Sequence, residues 1–249
     1  MRGRAVILAG GRGSRLAPYT TVIPKPLMPI GDRAILDVIV RQLREKGFDE
    51  LTLAVGYLAH LIKAVFGDGS AFGVKIDYHD EKTPLGTAGA LATIDSLEEP
   101  FLAMNGDVLT SLDYRALYDT HIAQRNALTI ATHRRTVKTE YGVLHLDESQ
   151  GGDSRRVIGY EEKPEFRYVV SMGIYAVGPG VLDLIEPNEA LDFPDLVQRL
   201  LDDGRPVGSY IYDGYWLDIG RHEDYTQAVQ DYDQVLAALP GLADPEAAP

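Results

Sequence analysis

Short apolar runs alternate with helical patterns through the first half of the chain. Arg4–Ala9 is an apolar run that stops at Gly10-Gly11, and it reads as a buried strand. Ile35–Lys46 carries Ile35, Ile39 and Leu43 on one helical face, with Gly47 as its stop. Leu51–Val55, Val74–Tyr78, Phe101–Met104 and Leu128–His133 predict further strands. Leu58–Phe66, Gly86–Leu97 and Tyr114–Arg125 predict helices between them. Such alternation implies βαβ units, hence an α/β fold with a mostly parallel, doubly wound sheet. Ligands of these sheets bind beyond the carboxyl ends of the strands. Gly10–Arg15 and Asn105-Gly106-Asp107 both follow strands, so both are expected to face one crevice.

The pattern changes after about residue 140. Strand-like runs at Val143–Leu146, Val157–Glu161 and Val169–Val177 lie closer together, separated by turn-rich pieces such as Gly151-Gly152-Asp153. They predict an antiparallel part added to the parallel sheet and forming the far wall of the crevice. Helical patterns return at Gly180–Ile185 and Asp195–Asp202. Strands are expected at Gly208–Tyr212 and Tyr215–Ile219, and a last helix at Glu223–Leu239. Gly241–Pro249, rich in Ala and Pro, reads as a disordered tail.

The chain has 249 residues with 45% apolar content, enough for one sizeable core. Its 24 basic and 37 acidic residues give −13, which argues against nucleic acid or an anionic membrane as partner. A phosphate ligand must then be held by local basic groups against an acidic background, where a divalent cation would help. The chain has no cysteine, so disulfides, thiolate catalysis and zinc-thiolate sites are excluded. The six histidines show no metal-ligand spacing. The first apolar run is too short for a signal peptide or a membrane span, and a cytoplasmic location is the default expectation.

Candidate chemistry starts in the first loop, Gly10-Gly11-Arg12-Gly13-Ser14-Arg15-Leu16. Glycines let backbone N–H groups approach an anion, and arginine adds a fixed fork of donors suited to phosphate oxygens. Lys25 follows, set between Pro24 and Pro26. The loop is not a Walker motif, which needs Gly-Lys before Ser or Thr. Nor is it the dinucleotide fingerprint, whose third glycine is Leu16 here. Asp107 and Asp218 each follow a strand. Alone, either reads equally as a turn aspartate. Beside a polyphosphate loop, two carboxylates are what Mg²⁺ requires, since it binds through one or two carboxylates, water and substrate phosphates. Lys163 precedes a proline, as Lys25 does, and a residue before proline is expected to be extended.

The string from Gly10 to Leu27, with Glu161-Glu162-Lys163-Pro164 and Trp216-Leu217-Asp218-Ile219-Gly220, resembles the sugar-1-phosphate nucleotidyltransferases (nucleotide-sugar pyrophosphorylases). The likeness spans roughly residues 4–230. It implies a Rossmann-like fold made of one nucleotidyltransferase domain over residues 1–240. The nucleotide would be held by about 1–135 and the sugar by about 136–240. It implies catalytic roles for Arg15, Lys25 and Lys163, and Mg²⁺ on Asp107 and Asp218. Nucleotide contacts are implied at Leu8, Ala9, Gly10, Gly11, Gly13, Ser14, Glu81, Gly86 and Thr87. Sugar-phosphate contacts are implied at Asn105, Gly142, Glu162, Lys163 and Gly173. Ser171 stands where many members carry asparagine, which leaves the sugar open.

The implied substrates are a nucleoside triphosphate and a sugar 1-phosphate of mannose, heptose or hexosamine type; a homo-oligomer stays open. The run Pro84-Leu85-Gly86-Thr87-Ala88-Gly89 resembles the guanylyltransferase branch, notably enzymes acting on mannose 1-phosphate. Glu81 points the same way. An ionised carboxylate only accepts, and guanine offers two adjacent donors, N1–H and the N2 amino group. A uridylyl- or thymidylyltransferase is the alternative within the family. A non-catalytic nucleotide-sugar-binding regulatory subunit on the same fold is the alternative of another class, and it predicts loss of Arg15, Lys25, Asp107 or Asp218, all of which are present.

Overall fold

A computed structural model of the protein describes residues 3–149 and 151–232. The chain runs β1 (Gly3–Ala9), β2 (Pro29–Ile30), β3 (Arg33–Ala34), α1 (Ile35–Glu45), β4 (Phe48–Val55), α2 (Ala59–Phe66), β5 (Lys75–Asp80), α3 (Gly86–Gly89), β6 (Phe101–Asn105), β7 (Val108–Thr110), α4 (Tyr114–Gln124), β8 (Leu128–Lys138), β9 (Val143–Leu146), β10 (Val157–Glu161), β11 (Glu165–Val177), α5 (Phe193–Asp202), β12 (Val207–Ile211), β13 (Trp216–Asp218) and α6 (His222–Asp231).

Seven strands form the central sheet in the order β12-β8-β11-β6-β1-β4-β5. β1 is parallel to β4 and β6, β4 to β5, and β12 to β8. β11 runs antiparallel to both its neighbours, β6 and β8. The antiparallel element is thus threaded into the interior of the sheet rather than appended at its edge. β9 with β10, and β7 with β13, form separate two-stranded pieces.

Alternation along the strands divides the core between the two faces of the sheet. Ala5, Ile7 and Ala9 of β1 join Leu53, Met104 and Ile174 beneath α1, where Ile35, Leu36, Ile39 and Leu43 are fully buried. Val6 turns to the other face, against Phe101, Tyr175 and the α5 residues Phe193, Leu196 and Leu200. Burying one such side chain contributes about 1.5–3 kcal/mol, and the loop behind β1 is carried on a strand whose alternate side chains are buried on both faces.

Several elements differ from expectation. The helix expected over Gly86–Leu97 is α-helical only to Gly89 and continues as a 3₁₀ turn to Thr93. Gly86 begins it at φ 74°, and the backbone N–H groups of Ala88 and Gly89 both donate to Leu191 O at 2.9 Å, so a tertiary contact sets its shape. The helix expected at Gly180–Ile185 is a 3₁₀ helix, Pro179–Leu184. β8 and β11 extend well beyond the expected apolar runs, through Arg134–Lys138 and Glu165–Tyr168. Those segments project past the core and are held by ladder pairing, Lys138 against Glu165 and Arg135 against Tyr168. Apolar content gives no sign of them because they bury little. The last helix is described to Asp231; its expected continuation and the expected tail lie outside the described residues.

Candidate active site

β1 delivers the chain to the crevice, and the loop behind it is tied down. Gly13 takes φ 61° ahead of the 3₁₀ turn Ser14–Leu16, an angle at which a side chain would be strained. Its carbonyl accepts from Leu16 N–H at 2.9 Å and from the Thr20 hydroxyl at 2.8 Å. Gly10 O accepts Tyr57 N–H at 3.2 Å, and the Arg12 guanidinium lies 5.7 Å from the centroid of the Tyr57 ring. The loop is therefore seated on both sides before any anion arrives.

Lys25 lies under this loop, in the 3₁₀ turn Lys25–Leu27, and is only 7% exposed. Its ammonium donates to Asp107 Oδ2. Asp107 occupies the turn between β6 and β7, and its other oxygen, Oδ1, is buried without a hydrogen-bond partner. β13 pairs with β7 so that Asp218 faces Val108, and Ile219 N–H donates to Asp107 O at 3.1 Å. This pairing brings the second carboxylate beside the first. Partial desolvation, then the charge of Asp107, push the Asp218 carboxyl above its ordinary value, while Lys25 and Arg15 pull it back.

Among the described residues, no group of three or more histidine or carboxylate side chains is arranged to hold a metal. Two carboxylates, one with a buried oxygen that makes no hydrogen bond among the described residues, suit instead a hard cation that completes its shell with water and phosphate oxygens, as Mg²⁺ does. Asp107 and Asp218 are the residues that could hold it.

A cavity of about 690 Å³ gathers the remaining parts. Leu8–Gly13 and Arg15 line one side, Lys25 and Asp107 the floor, and Glu81, Gly86 and Thr87 the far wall. Ser14 is exposed on the outside of the turn and does not line it. Glu81 follows β5, with its N–H donating to Val55 O at 2.9 Å. Its carboxylate lies against Gly10, where a Cβ would stand 2.8 Å from Oε1. Desolvation raises the Glu81 pKa, and the Leu85 N–H partly offsets that rise.

A second cavity of about 360 Å³ adjoins the first and shares Thr87 and Asn105 with it. Gly173, Ser171, Trp216 and Asp218 line the rest of it, with Asp192 and Phe193. A bulge in β11 between Ser171 and Tyr175 turns Gly173 toward Asn105 at φ 72°; a Cβ there would meet Asn105 Nδ2 at 2.7 Å. The Trp216 indole N–H holds the bulge by donating to Met172 O at 3.2 Å.

Gly142, Glu162 and Lys163 line neither cavity. They belong to the exposed β9–β10 hairpin, where Gly142 packs on Tyr160 and the Tyr160 hydroxyl donates to the Glu162 carboxylate. Lys163 is not extended as expected before proline. It takes φ 47°, because the chain must reverse from β10 into β11 within Glu162–Pro164.

A family model described as nucleotidyl transferase matches residues 4–235. The chain belongs to the nucleotidyl transferase family. It is 34% identical over 249 residues to the UTP–glucose-1-phosphate uridylyltransferase of Synechocystis sp., covering 91% of this chain and 62% of that protein. It is 31% identical over 244 residues to the mannose-1-phosphate guanylyltransferase of Mycobacterium tuberculosis, covering 96% of this chain and 67% of that one. The chain thus spans less than two thirds of the length of the first of these curated relatives. Its fold matches the crystal structure of a Bacillus anthracis protein assigned as a glucose-1-phosphate thymidylyltransferase with a TM-score of 0.75. That match covers 93% of this chain and 96% of that one at 24% identity, a likeness of fold.

The site also contains residues to which the sequence does not point. Asp192 precedes α5, but its side chain does not cap that helix. Its Oδ1 accepts instead from Thr87 N–H at 2.8 Å and from the Thr87 hydroxyl at 3.1 Å, and Phe193 N–H donates back to Thr87 Oγ1 at 3.0 Å. That cross-link fixes the wall between the two cavities. Asp192-Phe193-Pro194 is a helix-start signal, and nothing local shows that the aspartate is spent on a distant threonine. Tyr57 gave no signal at all.

Proposed function

We propose that this chain transfers a nucleoside monophosphate, with GTP the favoured donor, to a sugar 1-phosphate, giving a nucleotide sugar and pyrophosphate. The observation that carries the reading is that the seated loop, Arg15, Lys25, Asp107 and Glu81 line one cavity, which joins a second cavity through Thr87 and Asn105. A nucleotide and a phosphorylated sugar would then meet at the shared wall.

The nucleophile is a phosphate oxygen, mostly dianionic at neutral pH because the second pKa of such a group is about 6, so no general base is needed. The barrier is the approach of two anions, and positioning with charge neutralisation is what lowers it. The Gly10–Gly13 amides and Arg15 hold the triphosphate. Lys25 meets charge developing near the α-phosphate. Bound at Asp107 and Asp218, Mg²⁺ would supply further neutralisation of the phosphates. Glu162 and Lys163 are assigned to the sugar phosphate, which requires the β9–β10 hairpin to approach the smaller cavity.

The base reading rests on Glu81. A desolvated carboxylate is stabilised by donors, and guanine offers two on one edge. Relatives named for uridylyl and for guanylyl transfer stand at similar identity, which leaves Glu81 as the discriminating feature. The test is pyrophosphate release with GTP, UTP, dTTP, CTP and ATP crossed against mannose, glucose, N-acetylglucosamine and heptose 1-phosphates. GTP with one of the non-glucose sugars is expected to be fastest, with turnover lost in excess chelator. Preference for UTP or dTTP would overturn the base reading, and no release with any pair would overturn the activity.

A further inference from the structure

We infer that Lys25 is a resident stand-in for the divalent cation. Its ammonium pairs with Asp107 and passes to a phosphate oxygen when metal and triphosphate bind together. This rests on the proposed function only in taking the cavity to bind a triphosphate with a metal.

Three features carry it. First, Lys25 is out of place for a residue devoted to phosphate. In this structure its ammonium is committed to Asp107 Oδ2, and the Oδ1 of the same carboxylate is buried with no hydrogen-bond partner among the described residues. Second, the lysine is built in and cannot drift away. It is 7% exposed between buried Pro24 and Pro26, and its Cβ lies 3.2 Å from where a Gly13 Cβ would stand. With the stem pinned there, the head group can move only by rotating its own torsions, and Lys25 and the phosphate loop line the same cavity. Third, the surroundings demand a cation at all times. Asp218 stands beside Asp107, whose charge raises the cost of ionising Asp218, in a chain of net −13. An ammonium on a fixed stem answers one carboxylate. A divalent ion can answer both, but to take Asp107 Oδ2 it must displace the ammonium.

The exchange has a directional consequence. Metal arriving alone takes the carboxylate from the Lys25 ammonium in a partly desolvated site and gives no phosphate oxygen in return. Metal arriving with a triphosphate gives that ammonium a phosphate oxygen in return. Binding of the two ligands is therefore coupled, and Lys25 is the element that couples them. The Lys25–Asp107 pair disfavours metal alone relative to metal with nucleotide.

The test is Mn²⁺ binding to the full chain without nucleotide, read from the electron paramagnetic resonance signal of free Mn²⁺. The variants are Lys25→Met, Lys25→Gln and Lys25→Arg, with folding checked by circular dichroism. Both charge-removing variants should bind Mn²⁺ about tenfold tighter than the parent, a coupling of ordinary size. Lys25→Gln retains a hydrogen-bonding side chain should Lys25→Met not fold. Lys25→Arg, which keeps the charge, should bind as weakly as the parent. Adding Asp107→Asn to Lys25→Met should abolish the gain. Metal affinity equal to or below the parent's in Lys25→Met or Lys25→Gln overturns the exchange while leaving the transfer reaction untouched. Absence of Mn²⁺ binding in the parent, with or without nucleotide, and in every variant overturns the metal assignment itself.

Discussion

The two ends of the crevice are built differently. At the nucleotide end, the β1 loop is braced from both sides and Lys25 is almost entirely buried. At the other end, the β9–β10 hairpin leaves Leu144, Leu146, Ile158 and Tyr160 between 41% and 66% exposed, and its two strands pair only with each other. A two-stranded hairpin on its own is marginally stable. The contrast teaches that this fold braces the loop behind β1 in advance, while the hairpin proposed to reach the sugar phosphate is left to be positioned by something else.

The largest effect expected from breaking that contrast is at the preformed end. Asp107→Ala should lower kcat by about 10²-fold or more, measured by pyrophosphate release, because it removes the proposed metal carboxylate and the partner of Lys25 together. Stability should divide along the same line. Leu43→Ala, beneath the sheet, should cost about 2–5 kcal/mol in urea unfolding, whereas Leu144→Ala on the hairpin should stay within about 0.5 kcal/mol.

Glu81→Gln turns an acceptor toward guanine into a donor, leaving polar groups unpaired at about 1–3 kcal/mol. It should weaken GTP use by roughly ten- to a hundredfold and relatively improve UTP or dTTP. Lys163→Ala should raise KM for the sugar phosphate with less effect on the nucleotide. An unchanged KM would show that the hairpin does not approach the substrate.

The smallest effect is on pH dependence. A carboxyl held above its ordinary value binds its proton more tightly in the folded chain than in the unfolded one. Stability therefore falls as pH rises from the ordinary carboxylate range through the raised value. Asp218→Asn should raise Tm slightly at neutral pH, and the gain should vanish in acid, as differential scanning calorimetry at several pH values would show.

What was legible in the sequence was local. Val6–Arg15 reads as strand and anion loop because the apolar run, the glycines and the arginines lie side by side. The Asp107–Asp218 pair was legible as chemistry, through two strand-end aspartates, but not as geometry, since the β7–β13 ladder that joins them is non-local. The Asp192–Thr87 link was hidden for the same reason. Arg134–Lys138 escaped because a projecting ribbon needs pairing partners rather than apolar periodicity.

The β7–β13 ladder also has a meaning in time. Chains are made from the N-terminus, and the loop, Lys25 and Asp107 all leave the ribosome long before Trp216–Asp218. A nascent chain can therefore hold its lysine on Asp107 while the second carboxylate is still unmade. If Lys25 exchanges with metal as proposed, it would also keep an unfinished site from gathering stray metal, and the carboxylate pair is completed only once Trp216–Asp218 has emerged and paired with β7.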